Sequence, residues 1–523
     1  MRCVSIDQNC TPLWDALPKL AALRARGFPC VHFVEDVDVA FTQQRADPAT
    51  PPHPAPERVY PGGNSDWGAT AFYSNFLGRN PINPRTLEPF LHASINTFAK
   101  RAGFASLDEL YAAHASSDNI QIIAPSHSGD NRHRTLGDLS LREMRAPLRE
   151  LLEHARADTR RAFPLPECAA RADAFFNAEH AFLNTFHNDH PAVPLADFYA
   201  AWTQRHVPGQ TVKRSSSLFE NDPHELLHAF VNHYETLAPL YNRAIAETNP
   251  GIAPLNPGKG DLPFFALWRR DGKNYRTPAS WQGSALATDG FVFPVSNGLL
   301  PLDEMRQHGL VALPPKALLL VMHARQHHAL ALPWQGSLYM PAARRLEELL
   351  QKKLAPVLRV RFHFFERLKT LDTPVRLPEW LAPFFSSDLL PASQFAIQLR
   401  DAQRDARATL DALRNNAAHL ATLTPDLSAK INTLQRERAS QSPQNPLRPL
   451  SPLRPLTPPT PWQQQKSLQQ QQARAQLHHI ISLAHLLALD YWDSRGALLP
   501  HALALGGEPF YQSLLHNAEI FTE

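Results

Sequence analysis

The sequence predicts an α/β protein built on an open sheet, and three observations carry that prediction. Cys3-Val-Ser-Ile6 reads as a short apolar strand, a helix to about Arg26 follows, and Cys30-Val-His-Phe-Val34 reads as a second strand. Each strand runs straight into polar residues: Asp7-Gln8-Asn9 after the first, Glu35-Asp36-Val37-Asp38 after the second. Strand and helix patterns alternate again beyond residue 256. Open α/β sheets bind ligands at the carboxyl ends of their strands, so the opening unit also locates the expected site.

Length and composition set the outer limits. A chain of 523 residues exceeds one compact core and predicts two or three domains. Its 43% hydrophobic and 19% charged content is that of an ordinary globular protein. Of the 48 prolines, 14 fall in two loop segments, 46–61 and 443–461. A net charge of +3 gives no electrostatic footprint for nucleic acid. The four cysteines have no metal-ligand spacing and fit a reducing compartment. Asp7 and Asp15 interrupt any signal-peptide core, and no stretch reaches the ~20 apolar residues of a membrane span. The expectation is a soluble, cytoplasmic protein.

The elements fall into four regions. Residues 1–135 read as an N-terminal α/β lobe with a proline-rich loop, closed by a strand at 120–124 and the polar loop 125–131. Residues 136–255 read as a helical subdomain, with helices at 139–163, 168–187, 195–204 and 223–248. Residues 256–390 read as a second α/β lobe. Strands are expected at 262–268, 291–295, 317–322 and 357–365, a helix at 338–353, and a tight turn at Asp271-Gly272. Residues 391–523 read as a coiled-coil arm. Phe395, Leu399, Ala402, Ala406, Leu410, Leu413, Ala417 and Leu420 form one seam, and Leu477, Ile480, Ala484, Leu487 and Tyr491 a second. Joined by the Pro/Gln-rich connector, these helices predict an antiparallel hairpin packing on itself or on the core, with the glutamine run on its surface. The fold class is therefore a Rossmann-like open-sheet core of two lobes with a helical insertion and a C-terminal antiparallel coiled-coil hairpin.

The residues with chemical potential cluster at the strand ends. Asp36 and Asp38 share a side of an extended chain and, with Glu35 beside them, suit a hard cation such as Mg²⁺, a ribose or an amine. The same residues also read as a solvated acidic turn. Gln8 and Asn9 would neighbour them across the sheet. No glycine lies between Met1 and Arg26, which argues against a standard dinucleotide or P-loop site. Ser126-His127-Ser128 lacks the nucleophile-elbow glycines and reads as a polar loop. His323 and His327 have no third ligand at defined spacing.

Residues 28–41, Phe-Pro-Cys-Val-His-Phe-Val-Glu-Asp-Val-Asp-Val-Ala-Phe, resemble the strand and acidic motif of the cysteine-adding enzymes of bacillithiol biosynthesis, where the strand ends in Glu-Asp-His-Asp. Gln8 and Lys19 match the placement of that family's opening Gly-Gln-Gln segment and downstream lysine. Tyr241-Asn242, Pro263-Phe264 to Trp268-Arg269, and Pro315-Lys316-Ala317-Leu318 look like segments of a related, uncharacterised bacterial group. Arg325, Gln326 and residues 332–339 sit where the family has an arginine, a glutamine and a glycine pair before an aromatic. The family's opening glycines are replaced by Asp7 and Cys10-Thr11, its motif histidine by Val37, and its glycine pair by Gln335-Gly336.

The resemblance implies a bacterial, ligase-like protein joining an amine-bearing substrate to a sugar- or acid-like acceptor. Asp36, Asp38 and Lys19 would then be catalytic. Gln8, Asn9, Glu35, Arg325, Gln335 and Tyr339 would hold the small-molecule substrate; the cofactor stays open, a nucleotide or Mg²⁺ being the candidates. Two other readings stand beside it. One is a catalytically inactive ligand-binding or scaffold protein that forms a homodimer through its coiled coil. The other is a nucleotide-sugar glycosyltransferase using Asp36-Val37-Asp38, although only about one βαβ unit precedes that motif.

Overall fold

The computed structural model describes residues 3–7, 13–27, 30–35, 57–59, 87, 90, 95–105, 122–124, 135–207, 211–214, 225–248, 250, 252–327, 329–334, 339–416, 418–440, 460–490, 492–493 and 499–523. The chain opens with β1 (Cys3–Asp7), α1 (Leu13–Ala25) and β2 (Cys30–Glu35), then β3 (Glu57–Val59), α2 (Ile95–Ala102) and β4 (Ile122–Ala124). Helices α3 (Leu141–Ala162), α4 (Pro166–Asp189) and α5 (Leu195–His206) lead into β5 (Thr211–Arg214). Next come α6 (Glu225–Asn232) and α7 (Tyr234–Thr248). An antiparallel run follows: β6 (Asp261–Arg270), β7 (Lys273–Trp281), β8 (Ala285–Thr288), β9 (Phe291–Pro294), α8 (Leu302–Gln307) and β10 (Leu310–Ala312). Then α9 (Ala317–His327), β11 (Ala329–Pro333), α10 (Met340–Leu349), β12 (Val357–Arg361) and α11 (Phe364–Leu368) precede the small strands β13 (Pro374–Arg376) and β14 (Leu389–Pro391). The chain closes with α12 (Ala392–Asn415), α13 (His419–Thr422), α14 (Pro425–Ser440), α15 (Pro461–Ala488), α16 (Leu499–His516) and β15 (Glu519–Thr522).

The protein has a mixed α/β fold. Its larger sheet has the order β15-β12-β11-β1-β2-β5. All neighbours are parallel except β15, which runs antiparallel along β12 with Val360 opposite Ile520. β1 lies in the middle, with Asp7 opposite Val34 of β2 and Ser5 opposite Leu330 of β11. Strands that the sequence distributes over two lobes thus share one sheet. The rest of the expected second lobe is a separate five-stranded antiparallel sheet of order β10-β6-β7-β8-β9. Its first turn is the Asp271-Gly272 pair, both at positive φ (47° and 74°), as a tight two-residue hairpin requires.

Successive residues of a strand face opposite sides, and the cores follow that rule. Ala331, Leu358 and Val360 enter one core with α1, α3, α4, α5 and the C-terminal helices. Leu330, Leu332 and Val357 enter the other, with α6, α7, α9, α10 and the antiparallel sheet. Both faces of β11 and β12 are therefore covered, which explains why β11, Ala-Leu-Ala-Leu-Pro, is an unbroken apolar run. In the first core Trp14 of α1 is fully buried, edge-on to Phe175, Phe176 and Trp202 with ring centroids 5.6, 5.8 and 6.0 Å away. Helix α3 starts at a capping box, in which Ser140 Oγ accepts the Glu143 N–H and Glu143 Oε2 accepts the Ser140 N–H.

Four local expectations change. The strand read at 357–365 ends at Arg361, and Phe364 and Phe365 already belong to α11. Residues 317–322, read as a strand, are the first turns of α9. Leu318, Leu319, Val321 and Met322 are all buried, so the segment is apolar around the helix and shows no helical periodicity. The 223–248 helix is two helices, α6 and α7. The glutamine run is not wholly surface: Gln465 and Gln476 are buried, and Gln476 Nε2 donates to the Leu420 carbonyl at 2.8 Å. Helices α12 and α15 run side by side, with Gln403 Nε2 donating to Leu486 O (3.1 Å) and to Asp490 Oδ1 (3.0 Å). Their seam residues Phe395, Leu399, Leu410, Leu413, Leu477 and Ile480 are already buried in the same core as Trp14.

Candidate functional site

The parallel strands set the site. They end at Asp7 (β1), Glu35 (β2), Arg214 (β5), Pro333 (β11) and Arg361 (β12). The chain builds outward from β1 to β2 and β5, then returns to place β11 and β12 on the opposite side. In α/β sheets of parallel strands, ligands bind outside the carboxyl ends of the strands where the strand order reverses. Helix α10 leaves this edge to return to β12, and α9 runs back toward the start of β11. Their amino ends meet there. The buried Tyr241 hydroxyl accepts the Leu318 N–H of α9 and lies close to Tyr339 at the start of α10; burial pushes its pKa up, with Tyr339 adding to the rise.

At the end of β12 a charged cluster gathers around Asp493. Arg361 Nη2 and Arg400 Nη2 each lie 3.6 Å from Asp493 Oδ2, too far for a good hydrogen bond. Arg400 Nη1 is 2.6 Å from Asp490 Oδ1. Arg361 Nε is buried and has no hydrogen-bond acceptor among the described residues. The other Asp493 oxygen, Oδ1, accepts the Phe365 N–H at 3.1 Å. Burial pushes the Asp493 carboxyl above its ordinary value, against the Phe365 N–H, Arg400 and Arg361, while Asp490 adds to the rise. Beside the cluster, Trp334 is 38% exposed, with the Arg361 guanidinium 5.4 Å from its ring centroid and Phe521 5.1 Å away. His363 stands in the left-handed region (φ 53°), with Nε2 2.7 Å from Glu519.

This arrangement suits recognition of an anion next to a flat group. A carboxylate or phosphate could take the donors that Asp493 leaves loosely held, while an aromatic or sugar face lies on Trp334. A carboxyl with a raised pKa beside those donors is a candidate proton carrier.

The sequence-expected residues separate into three groups. Glu35 closes β2 beside Arg214 of β5, and Tyr339 opens α10; both positions are on the carboxyl edge. Lys19 lies half-way along α1, only 2% exposed. Arg325 is at the opposite edge, where Nη1 holds Glu347 at 2.7 Å and Nε donates to Ala355 O at 2.7 Å. Tyr339 and Glu347 are eight residues apart on α10, roughly 12 Å at 1.5 Å per residue, so Arg325 and Tyr339 do not share a pocket. Gln8, Asn9, Asp36, Asp38, Gln335 and Ser126-His127-Ser128 lie outside the described residues. Among the described residues no group of three His, Cys, Asp or Glu could hold a metal ion, and no helix is long and apolar enough to cross a membrane. Arg361 was within reach of sequence reasoning as the polar end of an apolar strand. Arg400 and Asp493 carry no local signal, because they come from distant helical segments.

No family model, no characterised protein and no solved structure matches the chain.

Proposed function

We propose that the chain binds an anionic small molecule at the carboxyl edge of its parallel sheet. We read that sheet as Rossmann-like, and the protein as a divergent, ligase-like relative of the cysteine-adding enzymes that joins an amine-bearing substrate to a sugar- or acid-like acceptor. One observation carries the binding claim: two arginines share one carboxylate at 3.6 Å beside an exposed tryptophan, and the buried Nε of Arg361 has no described acceptor. Arg361 and Arg400 would orient the anionic group, Trp334 would carry the flat face of the substrate, and Asp493 would move a proton.

The alternative is a non-catalytic binder that pairs through its C-terminal helices. The seam side chains that such pairing needs are used within the chain, which favours an internal role for α12 and α15 in presenting Arg400. Incubating the full chain with cysteine and amino-sugar acceptors, with and without ATP and Mg²⁺, separates the two by mass spectrometry. A product of the combined mass less one water supports the ligase reading. Ligand binding without any such product supports the binder.

A further inference from the structure

β15 brings side chains of its own to the end of β12 that carries Arg361. The two strands run antiparallel, with Phe521 opposite Arg359 and Glu519 opposite Arg361. Directly paired residues lie on the same face of a sheet. On this face the second core takes Leu330 and Leu332 of β11 and Val357 of β12, while Ile520 of β15 packs on the first core, as alternation requires. Past Leu332 the ladder goes one step further. The Trp334 N–H donates to Val360 O at 3.0 Å, and the Phe362 N–H then leaves the sheet for Asp493 O at 2.6 Å. Trp334 directly follows β11 and Phe521 lies on β15, so the two rings come from either side of β12 and meet across it. Their centroids are 5.1 Å apart with the planes tilted by 43°, and the Arg361 guanidinium is 5.4 Å from the Trp334 centroid. Among the described residues no other aromatic ring packs on Trp334.

β15 is itself fastened beside the cluster. Glu523 takes Arg359 Nε at 2.5 Å and Arg344 Nη2 at 2.9 Å, and Glu519 takes His363 Nε2 at 2.7 Å. His363 is the residue at which the chain turns from β12 into α11, at φ 53°, a conformation that a side chain other than glycine keeps only where its surroundings hold it. A half-exposed indole loses rotamer freedom when a ligand stacks on it, and a ring held in place beforehand has less to lose. We propose that Phe521 is a positioning residue of the ligand site: it holds the Trp334 indole beside Arg361, so that the flat part of a ligand meets a fixed ring. The proposal rests on the reading of this edge as a site for an anion joined to a flat group. It adds a residue from the one strand that runs against the parallel order, and it assigns β15 a part in recognition as well as in covering the edge of β12.

Titration calorimetry of the full chain with phenyl phosphate, a flat ring carrying an anion, and with inorganic phosphate, the anion alone, tests it. Wild type should prefer phenyl phosphate, and R361Q should weaken both ligands because it removes the partner of the anion. F521A should lower the preference for phenyl phosphate over inorganic phosphate by about fivefold, and F521Y should restore it to within about twofold. W334A should abolish the preference, and the W334A/F521A double variant should lose no more than W334A alone, because Phe521 acts through the indole. A general loss of structure would weaken both ligands together and leave the preference where it was. Wild-type preference retained in F521A, with both ligands weakened by R361Q, overturns the role of Phe521 and leaves the site reading standing. Additive losses in the double variant overturn it as well. Absence of binding of both ligands to wild type at millimolar concentration overturns the site reading and this proposal with it. Should F521A fail to fold, F521L, which keeps an apolar side chain without the ring, is read by the same criteria.

Discussion

Glu179 offers a sharp test of how the first core is held together. The residue is fully buried on α4 and is surrounded by donors from α5. Arg205 Nη1 is 2.7 Å from Oε1, His206 Nε2 is 3.2 Å from Oε2, and the Trp202 indole N–H donates to the same oxygen. Burial is the largest influence on this carboxyl and would raise its pKa, yet His206, Arg205 and Trp202 together hold it below the ordinary value. The carboxylate is therefore the stable form inside the fold. Substituting E179Q keeps the shape but replaces one acceptor oxygen with an NH₂ group facing donors. Breaking a buried, hydrogen-bonded charge set from one side costs about 3–5 kcal/mol. Urea unfolding of the full chain, followed by circular dichroism, reads this directly, and a double-mutant cycle with R205M separates the ion pair from the remaining hydrogen bonds. Because the folded pKa is lowered, the stabilisation is fully present above pH 4.5 and is lost as pH falls through the depressed value. An E179Q protein within about 1 kcal/mol of wild type at pH 7 would refute the assignment of Glu179 as the charged tie between α4 and α5.

Two further outcomes follow from buried groups elsewhere. His501 on α16 is completely buried, and burial pulls its pKa from 6.5 down to about 3. The unfolded chain therefore takes up a proton first as pH drops below 6.5, and stability falls by about 1.4 kcal/mol per pH unit until the folded pKa is reached. Between pH 6.5 and 5, wild type should lose about 2 kcal/mol more than H501L in matched urea titrations; parallel losses would contradict the reading. Gly260 stands at φ 66° with the Trp281 carbonyl where a Cβ would fall. G260A should destabilise the antiparallel sheet by roughly 1–3 kcal/mol through positive-φ strain and backbone displacement, and an unchanged melting temperature would show that the turn relaxes freely.

How much of this was legible in the sequence differs from element to element. β1, α1 and β2 were readable because local pattern alone specifies them. The antiparallel hairpin was readable because Asp271-Gly272 favours the backbone signs that its turn requires. The partner of β1 was not, since parallel pairing joins Ser5 to Leu330 across most of the chain and no local pattern records which strands will meet. α9 escaped for a related reason: its first turns, 317–322, are wholly apolar and mostly buried, and such a run looks like a buried strand. The site divides in the same way. Glu35 is legible as the polar end of an apolar strand and Tyr339 only through the resemblance, and both positions are on the carboxyl edge. Arg325 was chosen by resemblance, but in the folded chain it ties Glu347 and Ala355 together at the far edge. Arg361, Arg400 and Asp493 meet only because α12 and the segment that follows α15 come together at the end of β12, a tertiary fact with no one-dimensional signature.

The central claim is that the carboxyl edge around Arg361 binds a ligand. Thermal-shift titration of the full chain with nucleotides, nucleotide sugars and phosphorylated amino sugars, run beside R361Q and R325Q, tests it most directly. A ligand at one hundred times its dissociation constant adds about 2.7 kcal/mol to the folded state and raises the melting temperature accordingly. Wild type and R325Q should show such a rise, and R361Q should lose it. A flat response across the panel, or a rise that R361Q retains in full, would contradict it.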